Sequence, residues 1–376
     1  MPFVKVGLLA MTRWQYHDAM NIETDVPSDD PLLAAVRRNC LISDARHARN
    51  MTLCNYLLEM RGLYCWEKNL PLSEPPSRAA VGPWLATREA VWNELDDSGA
   101  EYESIPIDAE MLDPFAVGEI NQSLFRKGMV YGAGIGRFKK PHFFLGELLR
   151  RENRGAVEVV ISGQEYVRDL NALPAALQGS TIYLRRDALR RWLWEKAEEW
   201  ELRKNEGPLK ITLDRYGYAE DPLRAIDAMA EAETETLILH ELGEHAAGQL
   251  LGPGWEDMLN SFAGRRAEVL ARAVRDNLAD CLSTLPTLLA TDKPTSVHFW
   301  FANFDGMRAA LFPSLTAAYG GWSASGDTSR LQAAVADGHV QWSALALRLL
   351  EFFRRDNASA ESRIEALAEE FERLAL

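Results

Sequence analysis

LILHELGEHAAGQLLGPG, residues 237–254, places two histidines and two carboxylates within six positions, from His240 to His245. Nothing else in the chain has a comparable density of reactive side chains. Upstream, Asp221-Pro222 is typical of a helix start, with a capping side chain followed by a proline in the first turn. Gly252-Pro253-Gly254 is typical of a helix stop. The sequence therefore predicts helix around all four side chains, with a break near Glu231 to Thr234.

The helical period decides which of these side chains can act together. Each residue of an ideal helix turns the chain by about 100°, so His240 and Glu244 fall within roughly 20° of Glu233 on either side. Glu241 lies about 80° from Glu233, and His240 and His245 are separated by roughly 140°, too far to bind one ion on a regular helix. An apolar stripe opposite turns the His240 face toward solvent or a cleft. The stripe consists of Ile238, Leu239, Leu242, Ala246 and Leu250.

Three interpretations of the motif remain open. In the first, His240 and Glu244 bind a metal ion and Glu241 acts as general base, while His245 contacts a ligand or the substrate. In the second, a π-bulge around Gly243 brings His240 and His245 to the same side, so that both bind the ion. In the third, the side chains decorate an exposed face, with Glu241 and His245 a favourable pair four residues apart.

The segment resembles the metal-binding helix of the zincin family of metallohydrolases, whose H-E-x-x-H pattern sets two ligands four residues apart with a glutamate base between them. The resemblance covers this helix and the sheet-then-helix order before it, and departs from the pattern at the second histidine. It implies zinc or another divalent metal, metal-assisted hydrolysis of an amide or related bond, and a third ligand from a later helix. We expect Asp280 in that role; the other candidates are Glu268, Asp276 and His298.

Two functions of other classes compete with this one. A carboxylate-rich iron or manganese site in a helical bundle would combine acids from other helices with Glu233, Glu241, Glu244 and His245, and would carry out redox chemistry. A non-catalytic interaction protein would use the motif as surface decoration or as a metal site that only fixes the fold.

The pattern along the chain predicts an α+β protein, mostly helical, with a small mixed or antiparallel sheet and a zincin-like metal helix. Helices are predicted from Asp30-Pro31 to Lys68, from Pro83 to Leu95 and from Arg186 to Lys204. Short β-prone runs begin at Met129, His142, Val157 and Thr181, and a further strand is predicted at Leu209 to Leu213. Helices should fill 255–290 and 342–376, around a loop from Gly320 to Thr328. We divide the chain into a helical region, 1–120, and an α+β region, 121–376.

Other candidate sites have simpler explanations. The glycines of Gly132-Ala133-Gly134-Ile135-Gly136 invite comparison with a phosphate loop, but no Walker lysine follows and a hairpin or bulge explains them. Asp44, His47 and Cys54 are better explained as a helix surface. The aromatic run around His298 is expected to pack in the core.

Composition narrows the class of protein. Lys and Arg number 41 against 55 Asp and Glu, a net charge of -14 that disfavours nucleic acid and leaves a small molecule or peptide as the expected substrate. Four cysteines without paired spacing favour the reducing cytoplasm. The apolar stretch from Val6 to Met11 is too short for a signal peptide, and no run is long enough to span a membrane.

Overall fold

The computed structural model describes the backbone of residues 30–375 and the side chains as far as residue 370. The stretch from Val6 to Met11 lies outside the described residues. Within them, no helix is both long enough and apolar enough to cross a bilayer.

Helices make up most of the described chain. They are α1 (Pro31–His47), α2 (Leu53–Glu67), α3 (Arg78–Asp97), α4 (Val117–Leu124), α5 (Arg186–Arg203), α6 (Pro208–Tyr216), α7 (Pro222–Leu251), α8 (Gly254–Ser261), α9 (Arg265–Ala279), α10 (Leu285–Ala290), α11 (Pro294–Ala302), α12 (Gly306–Leu311), α13 (Pro313–Ser325), α14 (Ser329–Arg355) and α15 (Asn357–Ala375). A π-helical turn, Asp280–Thr284, joins α9 to α10.

Seven strands in residues 30–375 form two sheets. They are β1 (Ile105–Ile107), β2 (Glu110–Leu112), β3 (Met129–Ile135), β4 (Pro141–Arg154), β5 (Val157–Arg168), β6 (Ala175–Gln178) and β7 (Thr181–Arg185). The first two make a small antiparallel pair, and the other five form a mixed sheet in the order β3-β4-β5-β7-β6, in which only β5 and β7 are parallel. The predicted class, mostly helical α+β with a small mixed sheet, is confirmed.

Three local predictions are wrong. The strand expected at Leu209 to Leu213 is helix α6, because Pro208 starts a helix and Gly217 ends it in a left-handed conformation. The loop expected from Gly320 to Thr328 is mostly the end of α13, where Trp322 packs into the helical core. No break occurs near Glu231, since α7 is one helix from its Asp221 cap to Gly252.

The mixed sheet forms one packed unit with the helices before it. Val36 of α1, Ile120 of α4 and Leu145 of β4 are fully buried in the same apolar core. Side chains from before and after residue 120 thus pack in a single core. The domain boundary predicted near residue 120 therefore runs through a core.

Helix α7 lies between this sheet and the C-terminal helices. Ile238 packs on the sheet with Val159 and Leu184, whereas Leu239 belongs to the core of the C-terminal helices. The expected apolar stripe ends early, because Ala246 and Leu250 are exposed. The opposite face, which carries His240, packs against α9 and the π-helical turn.

A buried ionic group in the sheet unit corrects another expectation. Asp44 is not on a helix surface: its carboxylate accepts hydrogen bonds from Lys140 Nζ at 2.8 Å and from the Leu170 amide at 2.9 Å. His47 is half-buried and Cys54 is exposed, so the three do not form a site. The glycine-rich run lies in β3 and leads into the β3–β4 hairpin, as expected.

Candidate metal centre

A single glycine brings α7 close to α9. A Cβ atom added to Gly243 would lie 2.2 Å from the carbonyl oxygen of Ala279, far inside van der Waals contact. Only a residue without a side chain permits this approach. The two helices consequently meet where α7 presents His240 and Glu244 and α9 presents Asp276, with Asp280 just beyond its end. We call His240, Glu241, Glu244, Asp276 and Asp280 the His240 cluster.

The imidazole of His240 lies between two carboxylates. Its Nδ1 is 2.9 Å from Oδ1 of Asp280, and its Nε2 is 3.6 Å from Oε1 of Glu244. A carboxylate on Nδ1 fixes the orientation of the ring and leaves Nε2 as the nitrogen that can bind a metal ion. The side chain of His240 remains 23% exposed, so the cluster is reached by solvent on this side.

Asp280 is held from three directions. Besides His240, its Oδ1 accepts a hydrogen bond from Trp300 Nε1 at 3.0 Å, and its Oδ2 pairs with the guanidinium of Arg308. The side chain is only 1% exposed. Asp280 is the first residue of the π-helical turn, a form of helix that occurs often at functional sites. Its position suits a residue that orients His240 better than one that binds an ion.

Three ligand atoms converge on one point between the helices. One atom each from His240, Glu244 and Asp276 lies within 4.8 Å of the other two. Ligands of a tetrahedral zinc ion, at bond lengths near 2.0–2.1 Å, are about 3.3 Å apart. The 3.6 Å between His240 and Glu244 is close to that spacing, and Asp276 lies within 4.8 Å of both. One imidazole and two carboxylates are also a donor set that zinc accepts.

Arginine side chains fill the space around these carboxylates. Arg275 Nη2 is 2.8 Å from Oε1 of Glu244 and 3.5 Å from Oδ1 of Asp276. Arg137, at the tip of the β3–β4 hairpin, comes within 3.8 Å of Oδ2 of Asp276. The cluster therefore contains cationic partners from both the C-terminal helices and the sheet unit.

These contacts shift the protonation of the central pair. Burial disfavours the charged imidazolium, but Asp280 and Glu244 outweigh it and raise the pKa of His240 well above its usual value. Burial also disfavours ionised Glu244, but Arg275 and His240 outweigh it and hold the pKa of that carboxyl well below its usual range. Without a metal ion, the two side chains thus form an ion pair.

The other carboxyls behave differently from each other. Burial, reinforced by the charge of Glu244, raises the pKa of Glu241 to about 8 and also raises the pKa of Asp276. Burial alone would also raise the pKa of Asp280, but the charges of His240 and Arg308 outweigh it and lower that pKa. Strong opposite shifts within one small cluster are typical of functional sites, although structural ion pairs also produce them.

The structure brings together only part of the predicted metal set. His240 and Glu244 meet, and Asp276 joins them. Asp280 contacts Nδ1 of His240 instead of standing among the three converging ligand atoms, and His245 is half-buried outside that group. The interpretation with a π-bulge around Gly243 is wrong, since α7 is α-helical throughout and the π-helical turn occurs in the facing segment.

The remaining candidates are engaged elsewhere. Glu268 accepts hydrogen bonds from the Phe138 amide and from Arg272, and His298 contacts the hydroxyl of Tyr319 in the aromatic core. Glu233 lies on the same face of α7 as His240, but two helical turns before it. It is buried and accepts hydrogen bonds from three hydroxyl groups, those of Tyr216, Thr236 and Ser296. Of the residues named for a helical-bundle redox site, Glu233 is therefore engaged away from the His240 cluster.

Four residues that contact the His240 cluster were not predicted from the sequence: Arg137, Arg275, Trp300 and Arg308. Arg275 is next to Asp276 in the sequence, and this adjacency was the only available signal. The other three come from a distant hairpin and from two later helices, so no local pattern points to them.

Comparisons with known proteins identify the family but no activity. Two models of a family of unknown function, DUF6866, match the chain: its N-terminal domain over residues 31–185 and its C-terminal domain over residues 190–371. No curated protein and no solved structure matches significantly. The division between the two models falls in the first turn of α5, and α7 to α9 lie in the C-terminal match. Because the two matches together span most of the sequence, the chain belongs to the DUF6866 family of proteins of unknown function.

Proposed function

We propose that this protein is a metal-dependent hydrolase, with a divalent ion, zinc, bound by His240, Glu244 and Asp276. The observation that carries the proposal is the convergence of these three ligand atoms within 4.8 Å, beside an Asp280 carboxylate that holds Nδ1 of the same histidine. The reaction class is hydrolysis of an amide or related bond. This class comes from the local resemblance of the motif to the zincin helix.

The charge balance of the cluster supports a bound cation. Four buried or half-buried carboxylates face two largely buried guanidinium groups, those of Arg275 and Arg308, and one histidine. The guanidinium of Arg137 also approaches Asp276, but its side chain is 69% exposed, so water screens its charge. Two further positive charges are needed to neutralise them, either as protons on His240 and Glu241 or as one divalent ion. Unbalanced buried charge is costly, so one of these states must hold.

The buried charges of the sheet unit provide a contrast. Three buried carboxylates there are matched by three buried cations. The acidic members are Asp44, Glu165 and Asp169, and the basic members are Lys140, Arg168 and Arg185. That group needs no additional charge, whereas the His240 cluster needs either added protons or a bound cation.

Each residue then has a distinct role. A divalent ion in this place would supply Lewis-acid polarisation of a substrate carbonyl and of water. Glu241, buried in the same cluster, would act as general base once a divalent ion replaces the proton that this carboxyl holds in the metal-free protein. Asp280, held by Trp300 and Arg308, keeps the ring of His240 in position.

Glu241→Gln separates metal binding from catalysis. We expect the variant to retain its metal ion, because residue 241 is not a ligand, and to lose hydrolysis by about 10²–10⁴-fold, the usual contribution of a general base. The assay measures amine release from a library of short peptides and N-acylated amino acids, with zinc-loaded and chelator-treated protein. His245→Gln is the control and should keep both properties. Zinc-loaded protein that hydrolyses no member of the library, or full activity in Glu241→Gln, would refute the proposal.

We further propose a cytoplasmic location and a small-molecule or peptide substrate. All four cysteines are free thiols, and two of them, Cys40 and Cys281, are buried, which suits a reducing compartment. The net charge of -14 supports a substrate other than nucleic acid.

A further inference from the structure

The guanidinium of Arg275 approaches the carboxylates of two of the three proposed ligands, Glu244 and Asp276. Its Nη2 contacts Oε1 of Glu244 at 2.8 Å, and this same oxygen faces Nε2 of His240 at 3.6 Å. Nη2 also reaches Asp276 at 3.5 Å. The side chain of Arg275 is 13% exposed, so water screens these contacts poorly. Two of the three proposed ligands therefore already have a cationic partner.

Arg275 also has one acidic partner outside the group of proposed ligands. Its Nη1 is 3.5 Å from Oε1 of Glu256 on α8, and the Glu256 side chain is 63% exposed. The buried Nε of Arg275 has no described hydrogen-bond partner, so its present position leaves one donor unsatisfied. A small rotation toward Glu256 would separate the guanidinium from Glu244 while keeping it paired.

We propose that Arg275 is an internal counter-ion that competes with the divalent ion for Glu244 and Asp276. Metal binding is then an exchange of cations: the ion takes the two carboxylates, and Arg275 shifts to Glu256. The exchange keeps the carboxylates neutralised in the metal-free protein and lowers the affinity for metal. This inference rests on the proposed metal site and adds how its occupancy is regulated.

The test is a calorimetric titration of chelator-treated, full-length protein with Zn²⁺, repeated with Co²⁺. Arg275→Gln removes the competing charge, so we expect the Kd to fall about tenfold or more, since tenfold corresponds to about 1.4 kcal/mol. Arg272→Gln, which removes a neighbouring arginine paired with Glu268, should leave the Kd within about twofold of the parent. An unchanged or weaker affinity in Arg275→Gln would overturn the inference, because it would mean that Arg275 supports the ligands.

Glu256→Gln gives an independent reading if Arg275→Gln does not fold. It removes the partner to which Arg275 shifts, so we expect metal binding several-fold weaker than in the parent, and no change would overturn the inference. The two proposals fail differently. If neither the parent nor Arg275→Gln binds either ion, the metal site itself is wrong; if the parent binds and Arg275→Gln binds no tighter, only the exchange is wrong.

Discussion

Asp280 determines the geometry of His240 without belonging to the three converging ligand atoms. Its two oxygens are shared by an imidazole, an indole and a guanidinium, from α7, α11 and α12. A carboxylate in this position fixes both the tautomer and the direction of the ring. The chemistry proposed for the cluster therefore depends on a residue that is not itself one of the three proposed ligands.

Asp280→Asn should weaken both the metal site and the fold. The amide keeps the shape but cannot neutralise Arg308, so we expect a loss of about 3–5 kcal/mol in the free energy of unfolding. We also expect metal affinity to fall by about 10–100-fold. Urea unfolding and zinc titration measure the two effects. A variant as stable as the parent would show that Arg308 does not depend on Asp280.

His298 should make stability depend on pH below neutrality. Burial, with the charge of Arg215, lowers its pKa to about 4. The unfolded chain therefore takes up a proton near pH 6.5 that the folded chain refuses until about pH 4, so stability is lost as the pH falls between these values. We expect a loss of about 1–2 kcal/mol from pH 7 to pH 5 by urea unfolding.

His298→Gln should remove this part of the pH dependence. His339→Gln, at an exposed position on α14, is the matched control and should keep it. Equal slopes in the parent and in both variants would exclude His298 as the source.

Helical geometry alone predicts part of the candidate centre. The spacing of His240 and Glu244 placed them on one face and separated His245 from them, and the structure has the same arrangement. The choice between Asp276 and Asp280 was beyond the sequence. It depends on how α7 and α9 cross, and the crossing is fixed by the contact of Gly243 with Ala279, two residues that no sequence pattern connects.

At the scale of the element, the two glycines of α7 have different roles. Gly243 touches the backbone of α9, whereas nothing lies within 4 Å of a Cβ atom built on Gly248. Both would be expected to weaken an isolated helix by similar amounts. Only the first is required for packing.

Substituting alanine for each glycine should therefore have opposite effects. Gly243→Ala forces α7 from α9 and should lower the free energy of unfolding by about 1–3 kcal/mol. Gly248→Ala should raise it by about 0.5–1 kcal/mol through helix propensity. Thermal or urea unfolding of the two variants measures the difference. If Gly243→Ala is as stable as the parent, the close contact between the helices is not what the structure describes.

The sequence predicts long elements better than short ones. Periodicity over α5 gave nearly both of its limits, and the capping residues of α7 gave its two ends despite the break predicted within it. For α1 it gave the start, but not the end at His47. Residues 209–213 are too few to distinguish a strand from a helix by pattern. In the structure they are helical, and Leu213 packs against α5 and α7. The paired glycines of α13 predicted a loop, but the helix continues through them because tertiary packing outweighs their low helix propensity.

At the scale of the whole molecule, the two family domains share a core. Ile238 of α7, in the C-terminal domain, is fully buried against Val159 and Leu184 of the sheet. The β3–β4 hairpin reaches across as well, through Arg137 and the Phe138 amide. A boundary drawn from sequence could not account for such contacts, because they join residues far apart in the chain.

We expect the full chain to unfold in one cooperative transition as a result. Ile238→Ala should shift that whole transition by about 2–5 kcal/mol, the usual cost of a buried isoleucine. Leu250→Ala, on the exposed part of the same helix, should change it by less than about 0.5 kcal/mol. Circular dichroism and tryptophan fluorescence should report the same midpoint. Two separated transitions, with only one shifted by Ile238→Ala, would show that the domains are independent.

The metal content of the purified protein tests the central claim most directly. The protein is prepared without chelator and analysed by elemental analysis beside His240→Ala, Asp276→Asn and His245→Ala. The proposed centre predicts one zinc ion per chain in the parent and in His245→Ala, and none in His240→Ala or Asp276→Asn. A parent protein without bound metal, or loss of the ion in His245→Ala, would contradict it.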